Sequence, residues 1–276
     1  ARRQDDQFAL VYALLSDNRK IEGVHAAPFH NLRSSGPADG MEKSYQEILR
    51  ILDTLGREGT VPVLRGSTSY LPSRTEPVHS PAAERLVEEA LSHEDEPLYV
   101  LTIGAITNVA SALLMEPEII RHMVIVWLGG QPPYWPTAKE FNLRQDVPAA
   151  QVAFDSGAPL VHIPCKNVAE HLRTTLPEMQ AYVRGQGAVG DYLYQIFEDY
   201  REDHFASSKV IWDISSVAYM NNPEWVPTAL RPSPILLDDV TWGTVDLTRH
   251  RIREAYDVDR DAIFGDIFCK LADLAG

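Results

Sequence analysis

Cysteine is almost missing from this sequence. Cys165 and Cys269 are the only two in 276 residues, and they show no ligand-like spacing, so neither a disulfide framework nor a zinc site is suggested. Positive charge is scarce as well: 25 Lys and Arg stand against 39 Asp and Glu, a formal net charge of −14. Such a chain repels a nucleic-acid backbone or an anionic membrane, and suits a small neutral ligand or a site containing a cation. No apolar run approaches the length of a membrane span, about 18 residues. No signal peptide opens the sequence, and the expected compartment is a reducing cytoplasm. No Walker-type loop occurs, and the one Gly-x-Gly-x-x-Gly string, Gly185–Gly190, follows no predicted strand, so a nucleotide phosphate is not the expected guest. Internal repeats, low-complexity tracts and linkers are absent too.

What is present is a regular alternation. Phe8, Ala9, Tyr12 and Leu15 recur at helical spacing behind Asp5 and Asp6. Short apolar runs predict strands over Ile21–Ala27, Val61–Leu64, Leu98–Ile103, Met123–Leu128 and Pro159–Ile163. Between them the periodicity predicts helices over Met41–Leu55, Ala82–Ser92, Thr107–Leu114 and Pro148–Phe154. Thr174–Phe205 reads as helical and polar, with the acidic run Glu198–Asp203 as a solvated face. A helix near Asp213, a strand pair at Ile235–Leu237 and Ile252–Tyr256, and a closing helix Ala262–Leu274 complete the chain. Short connections and continuously apolar strands mean an α/β fold with an open, mainly parallel sheet and helices on both faces. One domain over residues 1–276 is expected.

In such sheets ligands bind beyond the carboxyl ends of the strands. There the sequence places His30 and Asn31, the loop from Gly66 to Ser80, Gly104 to Asn108, Gly129 to Asn142, and Trp212-Asp213. Asp5 and Asp6 open a helix on the same face. This set is rich in oxygen ligands and amides and poor in Cys, Lys and Ser–His pairings. Taken alone, the acidic pair is either a helix cap or a site for a hard cation or a hydroxyl. Thr107 reads equally as a cap, Asn142 as a turn residue and Trp212 as a core aromatic.

Taken together, five blocks carry a resemblance. Asp5-Asp6 before an apolar helix, Ile103-Gly-Ala-Ile-Thr-Asn-Val-Ala110, Trp127-Leu-Gly-Gly130, Glu140-Phe-Asn142 and Trp212-Asp213 resemble, in order, the sequence blocks of the nucleoside hydrolase family. This is the inosine–uridine-preferring type, which cleaves the N-glycosidic bond of ribonucleosides. The resemblance implies a Rossmann-like sheet, a Ca²⁺ cofactor, a ribonucleoside substrate, and a homodimer or homotetramer. Asp6, Thr107 (through its main-chain carbonyl) and Asp213 match the calcium ligands. Asp5, Asn31, Glu140 and Asn142 match positions that bind the ribose hydroxyls. Asp5, Trp212 and Asp213 match positions with catalytic parts, and a Trp at 212 points to purine bases, on which it would stack. Tyr70 and His79 bracket the loop that covers the site in the family, and His30 and Trp135 stand near it.

These residue types suit the chemistry. Cleavage of a ribosyl C–N bond passes through an oxocarbenium-like sugar, which carboxylates and amide oxygens stabilise. A bound Ca²⁺ lowers the pKa of a water, and a carboxylate takes its proton. The family pattern opens, however, with Asp-Thr-Asp on a first strand, whose second Asp is both calcium ligand and base. Ala1–Gln4 carry no such motif. The expectation is a sequence given without its natural beginning and hence without that strand. The alternative is a member of the fold that binds nucleoside or ribose without cleaving it.

Overall fold

Six consecutive apolar residues, Met123–Leu128, form strand β4, and the run has no polar face because helices cover both sides of it. In the computed structural model, which describes residues 5–17, 19–93 and 95–275, β4 is the second of five hydrogen-bonded strands. β3 (Leu98–Thr102), β4, β5 (Leu160–Ile163) and β9 (Arg251–Ala255) run parallel, and β8 (Thr228–Pro232) closes the edge antiparallel to β9. A separate parallel pair joins β1 (Val24–His25) to β2 (Val63–Leu64), and a short antiparallel pair joins β6 (Arg173–Thr174) to β7 (Lys209–Val210).

Alternate side chains of β4 enter two cores, as the two-residue period of a strand requires. Val126 and Leu128, with Val161 and Ile163, pack under α1 (Asp5–Leu14), α8 (Gly187–Glu198), α9 (Ile214–Asn221) and α10 (Arg260–Ala275), meeting Phe8, Tyr12, Phe197, Val217 and Phe264. α2 (Pro37–Thr54) adds Ile51 and Leu52 to that core, and α7 (Leu176–Tyr182) adds Met179. Ile125 and Trp127, with Leu160, pack under α3 (Pro81–Ser92), α4 (Thr107–Met115) and α6 (Val147–Asp155), meeting Leu86, Val109 and Phe154. Each fully buried side chain of this size contributes about 1.5–3 kcal/mol. A short helix, α5 (Phe141–Gln145), lies between β4 and α6.

The α/β class, the mainly parallel sheet and its two helical layers match the expectation. Several boundaries differ. Ile235–Leu237 is not a strand and keeps only the bridge Leu236–Trp242; the partner of β9 lies earlier, at Thr228–Pro232. That edge strand is half exposed and carries Arg231 and Pro232, so it has no apolar run to read. Ile21–Ala27 shrinks to Val24–His25, which among the described residues pairs along one edge, with β2. α2 starts four residues earlier than its apolar periodicity, because Pro37 occupies the first helical position, where a missing N–H costs nothing. The acidic run lies mostly past the end of α8 and not on its face. An Asp-Thr-Asp first strand has no counterpart among the described residues, and Ala1–Gln4 lie outside them. Among the described residues no helix is long and apolar enough to cross a membrane.

Half-buried His25 on β1 gives the fold a pH dependence. Burial first, and then the nearby Arg85 guanidinium, lowers its imidazole from 6.5 to about 4. The unfolded chain takes up a proton there that the folded chain refuses. Stability is therefore complete above about pH 6.5 and falls as the pH drops toward 4, by at most about 3 kcal/mol. His25→Gln is expected to flatten this decline, and urea midpoints of both proteins at about pH 4.5 and 7.5 check it.

Candidate active site

The carboxyl end of β4 is a turn that only glycine can make. A Cβ on Gly129 would lie 2.5 Å from the Trp127 ring, and Gly130 has φ of 75°. The turn frees the Gly130 N–H to donate to Glu140 Oε2 at 3.0 Å. The same oxygen caps α5, accepting from the N–H groups of Asn142 (2.8 Å) and Leu143 (3.2 Å). Buried Asn142 donates its side-chain amide to Leu128 O at 2.9 Å and Ile103 O at 3.1 Å. Glu140 and Asn142 are thus fixed to the adjacent ends of β3 and β4.

Thr107 opens α4 and is fully buried. Its hydroxyl donates to Asp146 Oδ2 at 2.7 Å, so the main-chain carbonyl is the oxygen it has for other work. Asp146 also accepts from Leu71 N at 3.0 Å and, through Oδ1, caps α6 at Ala149 N at 3.1 Å. Burial raises the Asp146 carboxyl above its ordinary value, and these three hydrogen bonds oppose the rise. Gln145 beside it gathers two loops, accepting from His30 N at 2.7 Å and from the Tyr70 hydroxyl. Burial, then the Asp146 charge, pushes the Tyr70 phenol up to about 12, so it stays a neutral donor. Half-buried Asn31 folds its own loop, its Oδ1 accepting from Arg33 N at 2.8 Å.

On the other helical layer, Asp5 is buried and Asp6 exposed in the first turn of α1. Lys209 of β7 reaches Asp5 Oδ1 at 3.3 Å, both side chains being almost wholly buried. Asp213 stands at the N-cap of α9 with 1% exposure, yet makes no side-chain cap bond with its helix. Trp212 is half-buried against the same core. His79 and Trp135 are drawn elsewhere: His79 is exposed 3.5 Å from Glu84 on α3, and Trp135 faces Lys166 across 5.9 Å.

The donors expected for a cation are carboxylates of Asp6 and Asp213 and the Thr107 carbonyl, all oxygen, as a hard divalent ion prefers. Asp213 makes no cap bond with its own helix, and the Thr107 hydroxyl is turned to Asp146. The set is a partial shell: among the described residues no three His, Cys, Asp or Glu side chains are gathered closely enough to hold a metal. Ca²⁺ takes about 6–8 oxygens.

A family model described as inosine-uridine preferring nucleoside hydrolase matches residues 3–265. The chain belongs to this nucleoside hydrolase family. It is 32% identical over 181 residues to the pyrimidine-specific ribonucleoside hydrolase RihA of an Enterobacter species, covering 57% of this chain and 55% of that protein. RihA of Citrobacter koseri is 30% identical over the same span. The chain thus spans little more than half the length of the curated relatives it matches. Among solved structures, a plant nucleoside hydrolase aligns with a TM-score of 0.75 at 17% identity, covering 98% of this chain and 96% of that one. A purine-preferring ribonucleoside hydrolase from Gardnerella vaginalis aligns with 0.72 at 22% identity, covering 99% and 96%. At these identities the likeness shows the fold, in agreement with the sheet described above.

Nucleoside hydrolase-like blocks in the sequence led to Glu140, Asn142, Thr107, Asp213 and Trp212, but not to Asp146, Gln145 or Lys209. Asp146 was open to discovery, because an Asp directly before Val147-Pro148 is a helix-start signal. Lys209 was visible only as a lone cation leading the apolar Val-Ile-Trp run. Asp146→Ala strands the Thr107 hydroxyl and the Leu71 N–H in the interior at once, and is expected to cost about 3–5 kcal/mol. Asp146→Asn keeps an acceptor for both and is expected to cost about 1–2 kcal/mol; denaturant unfolding of the pair of variants measures the difference.

Proposed function

We propose that this nucleoside hydrolase-family chain cleaves the N-glycosidic bond of ribonucleosides to free base and ribose. The observation carrying the reading is the fixed pair Glu140 and Asn142 at the ends of β3 and β4, a carboxylate and an amide presented at the ligand-binding edge of a parallel sheet. Family membership and the named activities of the relatives support it.

In the reaction the anomeric C–N bond breaks and its electron pair leaves with the base nitrogen, which takes up a proton, while a water oxygen bonds the anomeric carbon and gives its proton to a carboxylate. Positive charge gathers on the ribosyl ring between those events. In this reading Glu140, Asn142, Asn31 and Asp5 bind the ribose hydroxyls, and the carboxylates among them oppose that charge. Trp212 stacks on the base and favours its departure. Asp6, Asp213 and the Thr107 carbonyl would hold Ca²⁺, which when bound supplies a water of lowered pKa. Asp5 and Asp213 are the carboxylates nearest that chemistry in the proposal.

Base preference is the finer part of the reading. Trp212 favours purines, while the curated relatives are named pyrimidine-specific and one structural neighbour purine-preferring. Release of base from a panel of purine and pyrimidine ribonucleosides, with calcium and with chelator, tests substrate and metal together. The expected result is calcium-dependent turnover, fastest with purines and lost in Asp213→Ala. Trp212→Ala is expected to slow purine nucleosides by about 10–100-fold while sparing p-nitrophenyl riboside, whose leaving group needs no help. A folded protein that binds ribose but turns over nothing would sink hydrolysis and leave the binding alternative.

A further inference from the structure

Behind the Gly129–Gly130 turn lies a polar pair with no part in the reaction as described. His162 on β5 is the register partner of Trp127 on one side and of Glu254 on β9 on the other, so all three side chains lie on one face of the sheet. His162 has no exposed surface, and the rings of Trp127, Phe154 and Trp242 surround it at 5.4–6.4 Å. Glu254 is 9% exposed. Titratable groups in so apolar a place are costly unless their polar atoms are met.

One side of the imidazole is met. Its Nε2 lies 2.7 Å from the carbonyl oxygen of Gly129, and since a carbonyl only accepts, Nε2 carries the hydrogen. That carbonyl shares one planar peptide group with the Gly130 N–H, which donates to Glu140 Oε2 at 3.0 Å. A peptide polarised at its carbonyl by a donor becomes a stronger donor at its amide, as in any hydrogen-bond chain. On the other side, Nδ1 lies 3.9 Å from Glu254 Oε2, and among the described residues neither atom has a hydrogen-bond partner. Two facing acceptors repel; a proton on either one turns the 3.9 Å contact into an attraction, although it is too long for a hydrogen bond.

We propose that His162 and Glu254 are positioning residues for Glu140. The pair holds one proton, on Nδ1 or on Oε2, and the resulting attraction orients the imidazole onto Gly129 and strengthens the Gly130 N–H that holds the Glu140 carboxylate toward ribose. The proposal rests on the reading of Glu140 as a ribose ligand. It differs from a merely packed histidine in linking Glu254, which touches neither the turn nor Glu140 in any described hydrogen bond, to the Gly130 amide.

The test uses the full chain with three substitutions: His162→Leu removes the donor, His162→Gln keeps a side-chain N–H for Gly129, and Glu254→Gln removes the charge alone. The Gly130 amide proton shift, read by NMR, is expected to move upfield in His162→Leu and Glu254→Gln and to stay near the parent in His162→Gln. Nucleoside kcat/KM is expected to fall about tenfold in His162→Leu, the worth of one lost hydrogen bond, and less than about threefold in His162→Gln. An unmoved Gly130 amide in folded Glu254→Gln overturns the relay whether or not the protein is a hydrolase. A moved amide with unaltered kinetics overturns its part in positioning. Should the parent turn over no nucleoside, the hydrolase reading alone fails, and ribose affinity measured by calorimetry replaces kcat/KM with the same expected order of variants.

Discussion

The chain of paired backbone groups at the end of β4 sets where the site can be. Leu128 O accepts from Asn142, Gly129 O from His162, and Gly130 O from Cys165 N at 3.0 Å, while the Gly130 N–H goes to Glu140. Leaving any of these buried groups without a partner would cost about 1–3 kcal/mol. The turn that satisfies all four tolerates no side chain at 129 and requires a left-handed residue at 130. Glu140 and Asn142 are therefore not loop residues that drift to a ligand. They are the hydrogen-bond partners that the sheet's own end demands, and the proposed ribose contacts use what is left of their polarity.

How much of this could be read beforehand follows from what each element depends on. β4 announces itself because a strand buried on both faces is apolar, β5 does so apart from His162, α3 carries one apolar stripe, and α4 and α6 are small and apolar nearly all round. β8 stays hidden because an edge strand half in water has no such constraint. At the site, the residues found were those in ordered blocks, such as Glu140-Phe-Asn142. Asp146 and Lys209 escaped because their roles are set by partners far along the chain, Thr107 and Leu71 for one and Asp5 for the other. His162 in a run of Leu-Val-His-Ile looks like any strand residue until register puts Glu254 beside it.

Lys209 and Asp5 show how the two helical layers differ in their electrostatics. A buried ion pair gains from mutual attraction about what desolvation removes, so it adds little net stability, yet breaking it leaves one charge stranded. Lys209 also lies 5.2 Å from the Tyr200 ring, a second favourable contact for a cation out of water. The pair fixes β7 against the start of α1, and β7 leads directly into Trp212 and Asp213. A cation on Asp5 is thus a structural tie between two of the segments from which the site is proposed.

The helix ends give a reason for acidic residues at these positions. α1, α5, α6 and α9 all begin with an acidic residue: Asp5 and Asp6, Glu140, Asp146 and Asp213. A helix N-terminus carries about half a positive charge, and a ring of them would repel an oxocarbenium-like sugar and any divalent cation alike. One full negative charge at such an end outweighs it; at α1, where Lys209 offsets Asp5, the second acid Asp6 supplies that charge. Glu140 and Asp146 do so while capping, whereas Asp213 stands at its N-cap without a cap bond. In the proposed reaction, a fold that aims helix N-termini at its ligand edge stabilises a cationic sugar only by overcompensating them, and the acidic starts of these helices are of the sign that this needs.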